Sequence, residues 1–422
     1  MEGLPRDFPS ELQNPCEGLG ISLLTFSDYP WRSGGVNQLI HTLARALVER
    51  GHRVTVYALP NFTRRPAPLL AAVDAGINVV AVPAPLMALR DIRVVGPLTL
   101  MRALYRWPHA AMRLVHGREA GTGPADVVIA DFTSASAAMA SDASGGPPAI
   151  VLRWANWAAE LADAGRVFGR FRGVLMRREE RVLTRARCIV VNGRDIEQDL
   201  YARGVESNRV AFVPSAVDTA RFSAPYKVED LKNSHELRDR VILFPSMLRD
   251  IKGFDHLLRA VVLLPEPLRA TVSVVATGRG DASVYRSLAL ELGIDEQVVF
   301  LGEVSAEELP RWFALSDVAV FPYLFGAGTS VASIEALAAG LPVVAYRVQA
   351  FEHVVDDGVT GILVEMGDID GLSHALAVIL GDRDVCERMS HAARLAARQY
   401  DVVEVASRLE HVLLGVVRGA AT

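Results

Sequence analysis

Asp317–Val364, DVAVFPYLFGAGTSVASIEALAAGLPVVAYRVQAFEHVVDDGVTGILV, decides the fold class of this chain. Val318 to Phe321 is a short apolar run with the length and β-rich character of a buried strand, and Pro322 stops regular pairing. Gly326, Gly328, Thr329 and Ser330 follow as a small-residue loop whose hydroxyls can cap a helix and whose backbone can approach a ligand closely. Val331, Ile334, Leu337 and Ala338 then recur at helical spacing, Gly340 and Pro342 end the helix, and Val343 to Ala345 begins a second buried strand. The unit reads strand, loop, helix, strand. Between Phe321 and Tyr346 the one charged residue is Glu335, on an otherwise apolar helix. A carboxylate there needs donors. Either it turns outward and complements the helix N-terminus, or it accepts hydrogen bonds from the diol of a ligand.

Working outward, the same rhythm extends over the chain. Its 422 residues, half of them hydrophobic, are too many for one typical domain and enough for two sizeable cores. The net charge of −5 gives no general reason to expect nucleic acid. Cys16, Cys188 and Cys386 are far apart and odd in number, which excludes a disulfide framework or a cysteine-rich metal site and suits a reducing compartment. No apolar run reaches the length of a membrane span, and the first 18 residues are polar and proline-rich, unlike a signal peptide. The expected location is cytoplasmic, with peripheral membrane contact as an alternative.

Near the start, Ile21 to Phe26 reads as a strand, SDYPWRSGGVNQ as a loop, LIHTLARALVERG as a helix, and Val54 to Tyr57 as the next strand. Gly34 and Gly35 fall at the strand-to-helix turn, where exposed amides could hold a phosphate or polar substrate, or where the glycines only make the turn. The pattern is not the dinucleotide fingerprint. Leu86 to Arg118 carries six arginines among apolar residues, which fits a solvated helical face or a helix lying on anionic lipid. A second arginine-rich segment, Arg166 to Arg187, reads as a long amphipathic helix between strands at Ala149–Leu152 and Cys188–Val191. The most polar passage, around Tyr226 to Arg240, reads as the domain boundary. After it, Val241 to Phe244 restarts the alternation, and Lys252 with Gly253 lies at a helix start, where a cation could hold a diphosphate or simply face solvent.

Taken together, the motifs resemble the retaining glycosyltransferases of family 4. The resemblance is carried by Gly34-Gly35-Val36 with RGHRVTVYA, VPSAVDTARF at 213–222, KGFDHLLRA at 252–260, VVFLGEV at 298–304 and SIEALAAGLPVVA at 333–345. It implies an α/β chain of GT-B fold, with two Rossmann-like domains facing each other across a cleft. The expected parts are a leader over 1–18, an acceptor-side domain over 19–222, a nucleotide-sugar domain over 223–400 and a terminal helix over 401–422 packing back on the first domain. The implied reaction moves a sugar from a nucleotide diphosphate sugar to a hydroxyl, with no metal or other cofactor. The acceptor side leans toward a small secondary metabolite such as an aminocyclitol. A lipid or polysaccharide acceptor at the membrane face is the alternative, as is a nucleotide-sugar-binding protein that has lost turnover.

Carried over position by position, the resemblance puts Glu335 on the ribose hydroxyls and the Thr329, Ser330 and Val331 amides on the diphosphate, with Lys252 as neutralising cation and Gly35 near the diphosphate from the other domain. Ala327 stands where the family's first glutamate does, and Met247 where an arginine is usual, with Arg249 close enough to replace it. Arg153-Trp154 replaces a histidine often found after that strand. Gly34, Asp131, Arg153 and Trp154 are the acceptor-side candidates; no residue is singled out as catalytic, and no nucleic-acid partner is expected.

Overall fold

A computed structural model of the chain describes residues 18–25, 35–58, 75–82, 97–116, 123–131, 134–153, 172–326 and 328–419. The first sheet comprises β1 (Gly20–Leu24), β2 (Arg53–Ala58), β3 (Asn78–Ala81), β4 (Val127–Asp131), β5 (Ala149–Arg153), β6 (Cys188–Val191) and β7 (Val210–Phe212). They lie in the order β3-β2-β1-β4-β5-β6-β7, every neighbouring pair parallel. The second comprises β8 (Arg240–Pro245), β9 (Val272–Thr277), β10 (Val298–Gly302), β11 (Val318–Phe321), β12 (Val343–Tyr346) and β13 (Gly361–Val364), in the parallel order β10-β9-β8-β11-β12-β13. Such strands read as unbroken apolar runs because helices cover both faces of a parallel sheet. Thus β1, β9, β11 and β12 are buried along their whole length.

The crossover helices of the first domain are α1 (Gly35–Glu49), α2 (Pro97–His116), α3 (Ala135–Asp142), α4 (Arg172–Arg185) and α5 (Arg194–Ala202). On α1, Leu39, Ile40, Leu43 and Leu47 face the sheet at helical spacing. On α2, Trp107, Ala111 and Met112 are buried against the other face, and the Trp107 indole donates to the Val82 carbonyl at 2.9 Å. Arg106 and Arg113 stay exposed, so the apolar side of this arginine-bearing helix is spent on the sheet. Of the second arginine-rich segment, expected as a helix over 166–187, residues 166–171 lie outside the described ones, and the described helix ends at Arg185, two residues before the expected end.

In the second half, α6 (Thr219–Ser223) precedes β8, and α7 (Phe254–Val262), α8 (Ser283–Glu291), α9 (Leu309–Leu315), α10 (Val331–Ala339), α11 (Ile369–Gly381) and α12 (Arg383–Ala397) follow in turn. Val217 and Phe222 already pack in the second domain's core, beside Trp312, Phe313 and Ile334. The chain closes on α13 (Val402–Val417), whose Val405, Leu409 and Leu413 return to the first domain's core. Polar contacts fix that docking: Arg50 Nε donates to Glu410 at 2.7 Å, and His52 Nε2 stands 3.0 Å from the same carboxylate. No described helix is long and apolar enough to cross a membrane.

Candidate active-site crevice

In both sheets the strand order reverses once, between β1 and β4 and between β8 and β11. Ligands of open parallel sheets bind beyond the carboxyl ends of the strands at such a switch point. A crevice of about 410 Å³ opens there in the second domain. Pro245, Ser246 and Met247 line it from the end of β8, Thr277, Gly278 and Arg279 from β9, and Tyr323 and Thr329 from β11. Leu39, Asn192 and Ser215 close it from the first domain. A larger cavity, about 810 Å³, lies between α2, α3 and α4 with Arg177, Arg181 and Arg185 on one wall, but its lining comes from one domain and includes no residue from the carboxyl end of a strand.

The turn from β11 into α10 explains the crevice floor. Ser330 caps α10, its hydroxyl accepting from the Ser333 amide at 3.4 Å, and Gly340 ends the helix with φ near 80°. The Ser330 amide makes a long bond to the Ala350 carbonyl, 3.4 Å, whereas the Thr329 and Val331 amides have no partner among the described residues. A helix start with free amides attracts an anion. Lys252 lines the same crevice, its Nζ 3.5 Å from the centre of the Tyr323 ring. Burial pushes the Tyr323 hydroxyl up to about 12, so it stays neutral and donates to Ser246 Oγ at 2.8 Å.

Glu335 sits one turn into α10 and faces the crevice. No hydrogen bond to its carboxyl is formed among the described residues. Burial therefore pushes the group up to about 8, with Arg221 on α6 pulling weakly the other way. A half-buried carboxyl without donors is costly to ionise, and the hydroxyls of a bound ligand would relieve that cost.

Of the residues singled out from sequence, Met247, Lys252, Thr329, Val331 and Glu335 meet in this crevice, with Ser330 capping the helix beside them. Arg249 is exposed and does not line it; the cation that does, besides Lys252, is Arg279, 3.7 Å from Glu303. Sequence reasoning passed over Arg279. Its signal is the TGRGD turn after β9, where Gly278 and Gly280 take positive φ. Gly35 opens α1. Asp131 Oδ1 accepts from the Ser134 amide at 2.9 Å, which uses it at the start of α3. Arg153 is 2% exposed and paired with Glu179 at 2.9 Å and Asp199 at 3.0 Å, beneath α4 and α5 and away from the crevice lining. Gly34, Trp154 and Ala327 lie outside the described residues.

The model for group 1 glycosyl transferases matches residues 227–396, and that for Glycosyltransferase Family 4 matches residues 33–221. The chain belongs to the family-4 glycosyltransferases. The D-inositol 3-phosphate glycosyltransferase of Xylanimonas cellulosilytica is 29% identical over 89% of this chain and 90% of its own. A GDP-mannose-dependent phosphatidylinositol monomannoside mannosyltransferase of Mycolicibacterium smegmatis is 28% identical over 88% and 92%. Among solved structures, the Anabaena protein HepE in complex with UDP superposes with a TM-score of 0.74 at 16% identity, covering 94% of this chain and all of that one. Sucrose-phosphate synthase of Thermosynechococcus elongatus gives 0.76 at 18% identity, covering 95% and 100%. These two establish the fold as GT-B, with two Rossmann-like domains, and the crevice described above is lined from both of them.

Proposed function

We propose that this glycosyltransferase transfers a sugar from a nucleoside diphosphate sugar, with retention of anomeric configuration, to a hydroxyl of a cyclitol-type acceptor. The observation that carries it is Glu335, a carboxyl with no donor among the described residues, held in the same crevice as a lysine and helix-start amides that likewise have no partner among them. Ribose hydroxyls would donate to Glu335, and the Thr329 and Val331 amides with Lys252 would receive the diphosphate. As the glycosidic bond breaks, negative charge gathers on the departing diphosphate, so donors aimed at it stabilise the transition state more than the bound donor. Arg279 supplies a second cation on the wall where Met247 supplies none. A bound metal has no part in this reading.

The two relatives named above share an inositol ring in the acceptors their names give, which favours a polyol ring over a polysaccharide end. The test pairs a thermal-shift screen of nucleoside diphosphates with incubation of UDP- and GDP-sugars with inositol phosphate and, separately, with phosphatidylinositol vesicles. Stabilisation by a diphosphate and an axial-to-axial product by NMR are expected. Donor turnover with inversion removes the retaining assignment, no product on either inositol removes the acceptor, and no stabilisation by any diphosphate removes the donor site.

A further inference from the structure

The loop that carries the helix-start amides is held from both sides of the crevice. Within its own domain, among the described residues, Leu324 N donates to Ile251 O at 3.0 Å, and two long bonds lie nearer the helix start, Ala350 N to Gly326 O at 3.3 Å and Ser330 N to Ala350 O at 3.4 Å. From the other domain, Asp195 in the first turn of α5 accepts the Gly328 amide on Oδ2 at 3.1 Å, and the Asn192 carbonyl accepts the Thr329 hydroxyl. Gly328 itself has φ of 70°. The two backbones are close: a methyl group on Gly193 would stand 2.8 Å from Gly328 Cα and 2.3 Å from Asp195 Oδ1. Asp195 Oδ1 and Asn192 Oδ1 are both shut off from solvent with no partner among the described residues. A charged acceptor makes a stronger bond to an amide than a neutral one, so the carboxylate is the firmest of these ties.

We propose that Asp195 is a positioning residue for the donor loop: by holding the Gly328 amide from the first domain, it aims the Thr329 and Val331 amides into the crevice and makes their alignment depend on domain closure. Asn192 serves the same loop through its carbonyl, and the absence of a side chain at Gly193 is what lets the domains come together there. This rests on the donor site proposed above. Opening the crevice withdraws both partners at once, so the diphosphate subsite is complete only in the closed protein.

The test uses the full chain, with UDP and GDP as probes, each beside its nucleoside, by calorimetry. Asp195→Ala is expected to weaken the diphosphate about tenfold and leave the nucleoside within about twofold, because the nucleoside does not reach the loop. Asp195→Asn, which keeps the acceptor, is expected to recover most of the loss. Gly193→Ala, a wedge at the contact, should copy Asp195→Ala, and small-angle scattering of both variants without ligand should show a larger radius of gyration. Unchanged diphosphate binding in Asp195→Ala overturns the proposal, as does tighter binding in Asp195→Asn, which would mark the carboxylate as a repulsive neighbour. Equal loss of nucleoside and diphosphate also overturns it, reducing Asp195 to a folding role. A wild type that binds neither UDP nor GDP defeats the donor reading, and the scattering comparison then decides the closure contact independently.

Discussion

Lys252 Nζ stands over the Tyr323 ring, 3.5 Å from its centre, and the Tyr323 hydroxyl is in turn tied to Ser246. The ring packs against the ammonium where Lys252 lines the crevice. Lysine over an aromatic face is worth roughly 0.5 to 2 kcal/mol, less than a charge-assisted bond to a phosphate together with its Coulomb attraction. An arriving diphosphate should therefore win the ammonium. Lys252→Met keeps the stem and removes the charge. It is expected to weaken a nucleoside diphosphate by ~10- to 100-fold, the cost of one bond to a charged group, while the matching nucleoside binds as before. Calorimetry with both ligands measures this; equal losses for the two would mean that the lysine only shapes the pocket.

Glu335 should cost stability in the empty protein. Its carboxyl, pushed up to about 8, remains protonated in the fold at pH values where a glutamate of the unfolded chain, near 4.3, has ionised. Folding thus takes up a proton between those values, and the penalty grows as pH rises through that window and levels off above it. Glu335→Gln is expected to raise Tm at pH 8.5 by several degrees, a gain of on the order of 1 to 4 kcal/mol, and to give no gain at pH 4. In the same variant the diphosphate should lose its stabilising effect. A thermal-shift series against pH, with and without UDP or GDP, reads both outcomes. A parallel loss of Tm at every pH would show a side chain that packs rather than one held ready for a ligand.

The parts of this site that were legible in the sequence are those built within one strand, loop and helix unit. Val318 to Tyr346 declares itself through apolar runs cut by Pro322, Gly340 and Pro342, and Glu335 stands out as the single charge between Phe321 and Tyr346. The opposite wall was not legible. Asn192 and Thr329 touch across 137 residues of sequence, a contact that exists only once both sheets have formed and faced each other. Arg153 shows the converse: its place after a strand suggests a site residue, yet α4 and α5 bring Glu179 and Asp199 onto it and bury it. Strand ends can be read locally, but which of them open onto a crevice is decided by the layer packed above.

That burial sets an expectation for Arg153. Removing one member of a buried ion pair leaves the other uncompensated and costs about 3 to 5 kcal/mol. Arg153→Met leaves Glu179, 2% exposed, with Arg203 at 3.5 Å as its one remaining ion-pair partner among the described residues. It should lower the urea midpoint sharply, and Arg153→Met with Glu179→Leu should recover much of the loss because no charge is then stranded. Activity per folded molecule should stay near wild type in both. A variant with normal stability and lost transfer would instead put Arg153 on the acceptor.

Gly253 connects the fold to the chemistry most directly, because it is the N-cap residue of α7 and directly follows Lys252. It takes φ of 64°, and a methyl group there would stand 2.0 Å from the Pro322 carbonyl at the end of β11. Gly358 has a similar φ of 77° with nothing within 4 Å of the added atom. The pair separates two effects. Gly358→Ala should cost only the left-handed backbone strain, about 1 kcal/mol. Gly253→Ala carries that strain and a clash with backbone that cannot rotate away, so it should cost more, push the turn at Asp250–Lys252 off β11, and draw the ammonium away from the Tyr323 ring. Denaturation midpoints of the two variants give the difference, and diphosphate affinity should fall in Gly253→Ala alone. Equal stability costs with unchanged affinity would mean that the turn yields without moving Lys252, and the lysine's place over the ring would then owe nothing to the glycine behind it.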